Sequence, residues 1–196
     1  MIKIDRGVTK YDIMPIPPIE AHSQRFEVGP ISIWVEYRLL DDTIAALHQE
    51  RQGYQGTIGP MHDRGVALHV FGEPAPGQPQ VEFLRFDCFE EGPHYHYISH
   101  AQQTNDMVNI DPHSQGDPLR WALDCIRTRL PQMLERAGAG ALAARVDPSR
   151  VEQILPLLTE AAYRVRFEHD DAAIHAGAVA GTAPSAAAPG VAGGAS

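Results

Sequence analysis

Residues 85–97 read Arg-Phe-Asp-Cys-Phe-Glu-Glu-Gly-Pro-His-Tyr-His-Tyr, and they predict a pair of neighbouring strands in a β-sheet. Polar and apolar side chains alternate on both sides of Glu-Glu-Gly-Pro, which is typical of two β-strands joined by a tight turn. In such a β-hairpin, successive side chains point to opposite faces of the sheet. One face then carries Phe86, Cys88, Tyr95 and Tyr97, and the other carries Arg85, Asp87, His94 and His96.

The polar face of this hairpin is the candidate functional site. A loop of two or of four residues gives a register in which Asp87 faces His96 and Phe89 faces His94. Opposed Cβ atoms lie ~5 Å apart, so we expect an Asp87–His96 hydrogen bond that raises the pKa of His96. The stabilisation from that bond would be present at low pH and would fade as the pH rises through the raised value. The neighbouring Arg85 is expected to hold Asp87 ionised.

The pattern His-x-His points two imidazoles to the same side of a strand, as two ligands of a divalent metal require. A carboxylate from Asp87, Glu90 or Glu91 would complete a two-histidine, one-carboxylate site with His94 and His96. The pattern resembles the first motif of cupin metal sites, although the spaced glycines and the following glutamate of that motif are absent here. The cofactor that this pattern implies is a divalent metal ion.

Two alternatives to a metal site stay open. The first is a structural ladder of hydrogen bonds that lies beneath the helices or the N-terminal segment. The second is a metal-free site in which Arg85, Asp87 and His96 carry acid–base catalysis or bind a ligand. His69 lies on the polar side of its own predicted strand. It is expected either to face His94 and His96 as a further metal ligand or to lie on the surface.

Alternation elsewhere extends the sheet. Strands are predicted over residues 31–39, 65–71, 81–89 and 94–99, and a short helix capped by Asp41 or Asp42 is predicted over residues 42–51. Asp117-Pro118 and Asp147-Pro148 then precede apolar residues at helical spacing, which predicts two helices. Pro131 and Pro156 lie inside these runs and are expected to kink or divide the helices.

These elements predict the fold class and the domains. The fold class is α+β: an antiparallel β-meander of about four strands followed by two C-terminal amphipathic helices packed on one face. Residues 1–30 are rich in proline and are predicted to form an extended N-terminal arm, anchored by Ile13, Met14, Ile16 and Ile19. Residues 31–170 are predicted to form a single α+β domain. Residues 171–196 are mostly Ala, Gly, Pro and Ser, which predicts a disordered tail.

Composition excludes several classes of protein. The formal net charge of −9 argues against nucleic-acid binding, which needs an excess of Lys and Arg. Two cysteines exclude a disulfide scaffold and a zinc site of four thiolates. No apolar run approaches the ~20 residues of a membrane span, and the N-terminus lacks the apolar core of a signal peptide. We therefore expect a cytoplasmic protein without a membrane contact, whose partner is another protein or a small anionic ligand. The sequence leaves homo-oligomerisation open.

The core Arg-Phe-Asp-Cys-Phe followed by Pro-His-Tyr-His-Tyr and an amphipathic helix resembles an uncharacterised bacterial domain family, from Ile31 to Val165. The resemblance implies a single α+β domain with no known activity. A fainter likeness is to small toxins of toxin–antitoxin pairs, which join an Arg-x-Asp strand to a Pro-His-x-His segment.

Three functions follow from these observations. The first is a cytosolic accessory protein that binds a small molecule or a partner at a His/Asp/Arg-lined site on the hairpin. The alternative is a metal-dependent enzyme that uses His94, His96 and a carboxylate. The third is a component of a toxin–antitoxin pair.

Overall fold

A computed structural model describes residues 7–56 and 59–182 of the chain. Its strands are β1 (Val8–Tyr11), β2 (Gln24–Val28), β3 (Ile31–Leu40), β4 (Asp63–Gly72), β5 (Val81–Phe89), β6 (His94–Ser99) and β7 (Thr104–Asn109). They form one antiparallel sheet in the order β1-β7-β6-β5-β4-β3-β2. The predicted α+β class and antiparallel sheet are thus confirmed.

The predicted number of about four strands is wrong, because the described residues form seven. The four predicted strands are β3 to β6, and three further strands flank them. β1 and β2 come from the segment that was expected to be an extended arm, and they form the two edges of the sheet. Their side chains are largely exposed, so they carry no clear apolar alternation from which a strand is predicted.

The helices of the described residues are α1 (Asp42–Gln52), α2 (Pro112–Gln115), α3 (Pro118–Arg136), α4 (Gly140–Ala143), α5 (Pro148–Phe167) and α6 (Asp171–Thr182), with a 3₁₀ turn at Glu20–His22. Asp41, Asp117 and Asp147 cap α1, α3 and α5, as predicted. Both helices run through their proline, so Pro131 and Pro156 do not divide them, and the expected kink stays a prediction. The predicted number of two C-terminal helices is wrong, because the described residues after β7 form five, with α2, α4 and α6 in addition to the two predicted ones.

The main core lies between one face of the sheet and the two predicted helices, α3 and α5. Alternate residues of the central strands enter it, among them Ile33, Leu68 and Phe86, all with no exposed surface. Leu119, Ile126, Leu130 and Leu134 line the facing stripe of α3. The two helices therefore bury their apolar stripes on the sheet, which is the main source of their stability.

The opposite face of the sheet is polar and is covered by the segment that follows β1, with α1 and α6 beside it. Ile13 and Ile16 of this segment are buried, which confirms them as anchors, whereas Met14 and Ile19 are half-buried. Ile16 packs with Ile44 of α1. The polar face is thus covered by a proline-rich segment, whereas α3 and α5 cover the opposite face.

Helix α6 corrects the prediction of a tail that is disordered from residue 171. Ile174 joins the main core, Ala178 packs with Ile16 and Ile44, and His175 Nε2 lies 2.7 Å from Asp41 Oδ2. Residues 183–196 lie outside the described residues, and the predicted division of the chain at residues 30 and 170 stays a prediction. Within the described ranges, no helix combines the length and apolar character needed to cross a bilayer.

Candidate metal centre

The pairing of β5 with β6 places the candidate residues on the polar face, in a different register from the predicted one. Asp87 lies opposite His94, and Arg85 lies opposite His96. The predicted pairing of Asp87 with His96 is wrong by two residues, which preserves the face of every side chain. Cys88 and Phe89 pair with β4 only, so the connection between the paired strands is longer than the predicted turn.

The loop between these strands is held by an acidic side chain from the start of β4. Asp63 Oδ1 accepts the backbone N–H of Glu91 at 3.1 Å, and its Oδ2 accepts that of Gly92 at 2.7 Å. These bonds place the carbonyl oxygen of Gly92, which in turn positions His94.

Asp87, His94 and His96 form a compact cluster at the centre of the polar face. The distance from Asp87 Oδ2 is 3.4 Å to His94 Nε2 and 3.3 Å to His96 Nε2. One ligand atom from each residue lies within 4.8 Å of the other two. Asp87 is buried at 2% exposure and His96 at 7%, whereas His94 lies at the edge with 17% of its side chain exposed.

The outer nitrogen of each imidazole is occupied by a hydrogen bond. His94 Nδ1 lies 2.6 Å from the carbonyl oxygen of Gly92, and His96 Nδ1 lies 2.8 Å from Asn105 Oδ1. Asn105 Nδ2 donates to the carbonyl oxygen of Ile13 at 2.6 Å, which fixes Oδ1 as the acceptor for His96. Both rings therefore carry a proton on Nδ1 and turn Nε2 toward Asp87. This is the usual arrangement of histidines that bind a metal.

The inward atoms of the cluster are all acceptors when both rings are neutral. A neutral imidazole that is protonated on Nδ1 presents a lone pair at Nε2, so two lone pairs and a carboxylate face one another. The other oxygen of Asp87, Oδ1, is buried and has no hydrogen-bond partner among the described residues. Burial of an unsatisfied carboxylate oxygen is unfavourable. A proton or a metal ion in the centre of the cluster removes the repulsion.

The pKa shifts show how the cluster titrates without a metal. Burial alone would raise the pKa of Asp87, but the contacts with His94 and His96 and the charge of Arg85 hold it well below its usual value. Burial also opposes the charged form of His94, yet the contact with Asp87 raises the pKa of His94. In contrast, burial and the charge of His94 lower the pKa of His96 despite its contact with Asp87. The predicted rise in the pKa of His96, with its pH dependence, is therefore wrong.

His69 neither joins the cluster nor lies on the surface, so both expectations for this residue are wrong. Its Nδ1 lies 2.6 Å from Glu82 Oε1, and its Nε2 lies 3.2 Å from Glu36 Oε1. Both ring nitrogens are thereby occupied, and the side chain is fully buried. Glu90 and Glu91 are exposed in the loop and are not part of the cluster either.

Arg85 lies beside the cluster but bonds to other groups. Its Nε and one terminal nitrogen donate to the two oxygens of Glu82 at 2.9 and 2.7 Å, and its second terminal nitrogen donates to the carbonyl oxygen of Ile16 at 2.7 Å. Its charge contributes to the lowered pKa of Asp87, as expected. The predicted catalytic role of Arg85, Asp87 and His96 stays a prediction.

A cavity of about 300 Å³ opens next to the cluster. Its walls are formed by the sheet, by the segment after β1, by α1 and by the loop before β4. The residues that line it include Ile13, Met14, Ile16, Arg38, His48, Met61, Arg85, Asp87, Phe89, His94, His96, Asn105 and Met107. A pocket of this size is at the lower end of the range for small-molecule sites, roughly 300–1,000 Å³.

Sequence reasoning missed Arg38, His48 and Asn105 as members of the site. Arg38 alternates with the core residues of β3, which was a usable signal for the polar face. No pattern near His48 or Asn105 predicts that these side chains line the cavity. His48 lies on α1, whose place beside the sheet was not predicted, and Asn105 lies on β7, which was not predicted as a strand.

The fold and site together define an α+β protein with a candidate metal centre on the covered polar face of its sheet. The chain belongs to a family described as a domain of unknown function, DUF7700, whose model matches residues 25–162. This match confirms the expected membership of an uncharacterised domain family, while the core motif and the bacterial origin stay predictions. No curated protein and no solved structure gives a significant match.

Proposed function

We propose that the protein is a metal-dependent enzyme that acts on a small molecule, with Asp87, His94 and His96 as ligands of a divalent transition metal. The convergence of three ligand atoms within 4.8 Å is the observation that supports it most. The occupied Nδ1 atoms of both histidines support the same proposal, because they leave only Nε2 for a metal.

Three protein ligands suit a catalytic ion rather than a structural one. Structural zinc sites are closed by four protein ligands, whereas catalytic sites leave positions for water or substrate. Imidazole and carboxylate ligands suit zinc, iron and manganese, among other metals. A bound divalent ion would polarise an oxygen of the substrate or lower the pKa of a bound water. The adjacent cavity provides the space in which such a ligand would lie.

The test is metal binding by the purified full-length chain. The protein is first treated with a chelator and then titrated with Zn²⁺ by calorimetry and with Co²⁺ by visible absorption. We expect one ion per chain, and a cobalt spectrum typical of nitrogen and oxygen ligands.

A set of variants locates the ion. His94→Ala is the first choice because this side chain is partly exposed, so its removal disturbs the core least. Loss of a direct ligand should weaken binding by more than ~100-fold, since loss of outer partners alone costs ~10–100-fold. His113→Ala, on the exposed helix α2, is the matched control and should bind as the wild type does. Unchanged binding in His94→Ala, or no binding in the wild type, would reject the metal.

A metal-free binding protein is the second candidate, and the buried arginines of the cavity favour it. Arg38 and Arg85 both line the cavity, and both are almost fully buried. A protein that takes up no metal but binds a small anion in this cavity would match the accessory-protein hypothesis.

A further inference from the structure

The wall of the cavity also carries Arg38 and His48, two buried side chains that are not part of the metal cluster. Each has a side-chain nitrogen that is shielded from water and has no hydrogen-bond partner among the described residues: Arg38 Nη1 and His48 Nδ1. Buried polar atoms are satisfied in most folded proteins, so two unsatisfied ones beside one cavity indicate a missing partner.

Arg38 offers an unused pair of cationic donors. Its Nε lies 3.2 Å from Glu36 Oε1, and its Nη2 donates to the carbonyl oxygens of Ile16 and Pro17 at 3.0 and 3.4 Å. These bonds fix the plane of the guanidinium and leave Nη1 free. Burial and the neighbouring charge of Arg85 lower the pKa of Arg38. A second anion beside it would stabilise its charged form.

His48 offers the opposite function, an acceptor. Its Nε2 lies 2.7 Å from the carbonyl oxygen of Met14, so Nε2 carries the proton and donates it to that oxygen. Nδ1 is then a bare lone pair that can accept a hydroxyl. Burial lowers the pKa of His48, which keeps the ring neutral.

The buried charges favour an anion in the same space. Arg38 and Arg85 are balanced by the buried Glu36 and Glu82, and Asp87 is the one buried carboxylate among the described residues that line the cavity. A divalent ion on Asp87 therefore leaves the buried groups with a net positive charge, even with every histidine neutral. Asp63 also lines the cavity, but it lies at the rim, where the amides of Glu91 and Gly92 hold it. A buried positive charge is stabilised when an anion binds beside it.

We infer that the cavity binds a small organic hydroxycarboxylate, with its carboxylate on Arg38 Nη1 and its hydroxyl on His48 Nδ1. The apolar walls, from residues such as Ile13, Met14 and Phe89, suit a hydrocarbon body between these groups. The net positive charge and a further contact between the ligand and a metal on Asp87 both rest on the proposed function, whereas the unpartnered nitrogens of Arg38 and His48 do not.

Three probes of nearly equal shape test the inference on the wild-type chain without any substitution. Mandelate has a carboxylate, a hydroxyl and an apolar ring, mandelamide lacks the charge, and phenylacetate lacks the hydroxyl. Calorimetry should show that mandelate binds at least ~10-fold more tightly than mandelamide, since a charged hydrogen bond to a buried arginine is lost. Equal binding of mandelate and mandelamide, or no binding of either, would overturn the inference.

Two variants then assign the contacts. Arg38→Gln should abolish the preference for mandelate over mandelamide, and Arg38→Lys should keep part of it. His48→Phe should abolish the preference for mandelate over phenylacetate. Arg38 also holds Ile16 and Pro17, so each variant is first checked for a cooperative thermal transition. If Arg38→Gln does not fold, the probe comparison on the wild type decides alone. A folded Arg38→Gln that keeps the full preference would contradict the assignment.

The measurement is made with and without Zn²⁺, which separates this inference from the proposed function. Mandelate binding without any metal binding would reject the metal and support the anion site. Metal binding without discrimination between mandelate and mandelamide would support the metal centre and reject the anion site.

Discussion

Asn105 shows how a single residue defines the chemistry of the site. It accepts from His96 through Oδ1 and donates to the carbonyl oxygen of Ile13 through Nδ2. One amide therefore sets the tautomer of His96 and attaches the covering segment to the sheet. Sequence reasoning had no means of finding this residue, because its partners are distant in the chain.

Replacement of Asn105 should weaken metal binding without removing a ligand. Asn105→Ala frees His96 to rotate and to move its proton to Nε2, so we expect a loss of ~10–100-fold in affinity for Zn²⁺. Competition with a chelator measures it. Asn109→Ala is the matched control, because Asn109 is an exposed residue of the same strand. Equal affinities of the two variants would show that Asn105 does not orient the ligand.

His69 should make stability depend on pH. Burial lowers the pKa of His69, but Glu82 and Glu36 outweigh burial and raise the pKa above its usual value. The charged ring therefore adds stability at pH values below ~6.5, and this contribution is lost as the pH rises through the raised pKa. We expect the difference in unfolding free energy between wild type and His69→Gln to be largest near pH 6 and to shrink toward pH 9. Urea denaturation at each pH measures it, and a difference that grows with pH would contradict the assignment.

At the scale of elements, alternation in the sequence was enough for the central strands and for the faces of their side chains. Alternation failed to predict positions where contacts between distant residues shift the register of a strand. Strict alternation puts Glu82 on the core face with Leu84, but Val70 pairs with Leu84 and Phe71 with Glu82, so Phe83 is an unpaired extra residue that forms a β-bulge in β5. Glu82 thereby joins Arg85 and His69 on the polar face. No local pattern announces such a bulge, and this is why His69 was misassigned.

Helix α3 gives a prediction at the same scale. Pro131 lies within the helix, where proline costs ~3 kcal/mol relative to alanine because it lacks the N–H. The helix persists because its apolar face, including Leu130 and Leu134, is buried on the sheet. Pro131→Ala should therefore raise the unfolding free energy by about 1–3 kcal/mol, as measured in urea. Gln132→Ala, at an exposed neighbour, should change it little. A lower stability of Pro131→Ala would mean that the proline is required by the packing.

At the scale of the whole molecule, the two faces of one sheet have separate roles. One face carries the main core beneath α3 and α5, and the other carries buried charges beneath a proline-rich cover. Carbonyl oxygens of this cover accept hydrogen bonds from side chains of the polar face and of α1: Asn105 to Ile13, His48 to Met14, and Arg38 and Arg85 to Ile16. Proline lacks the N–H that would compete for these groups, so the cover suits a polar surface. The sequence predicted that this segment is anchored by its own apolar side chains. The side chains that donate hydrogen bonds to its carbonyl oxygens come from four different elements.

A crystal structure of the zinc-loaded protein would show whether Asp87, His94 and His96 bind one metal ion. Anomalous difference density at the zinc edge should show one peak at ~2.0–2.2 Å from Asp87 Oδ2, His94 Nε2 and His96 Nε2. A peak held by other residues, or no peak between these three side chains in a fully loaded crystal, would contradict the account.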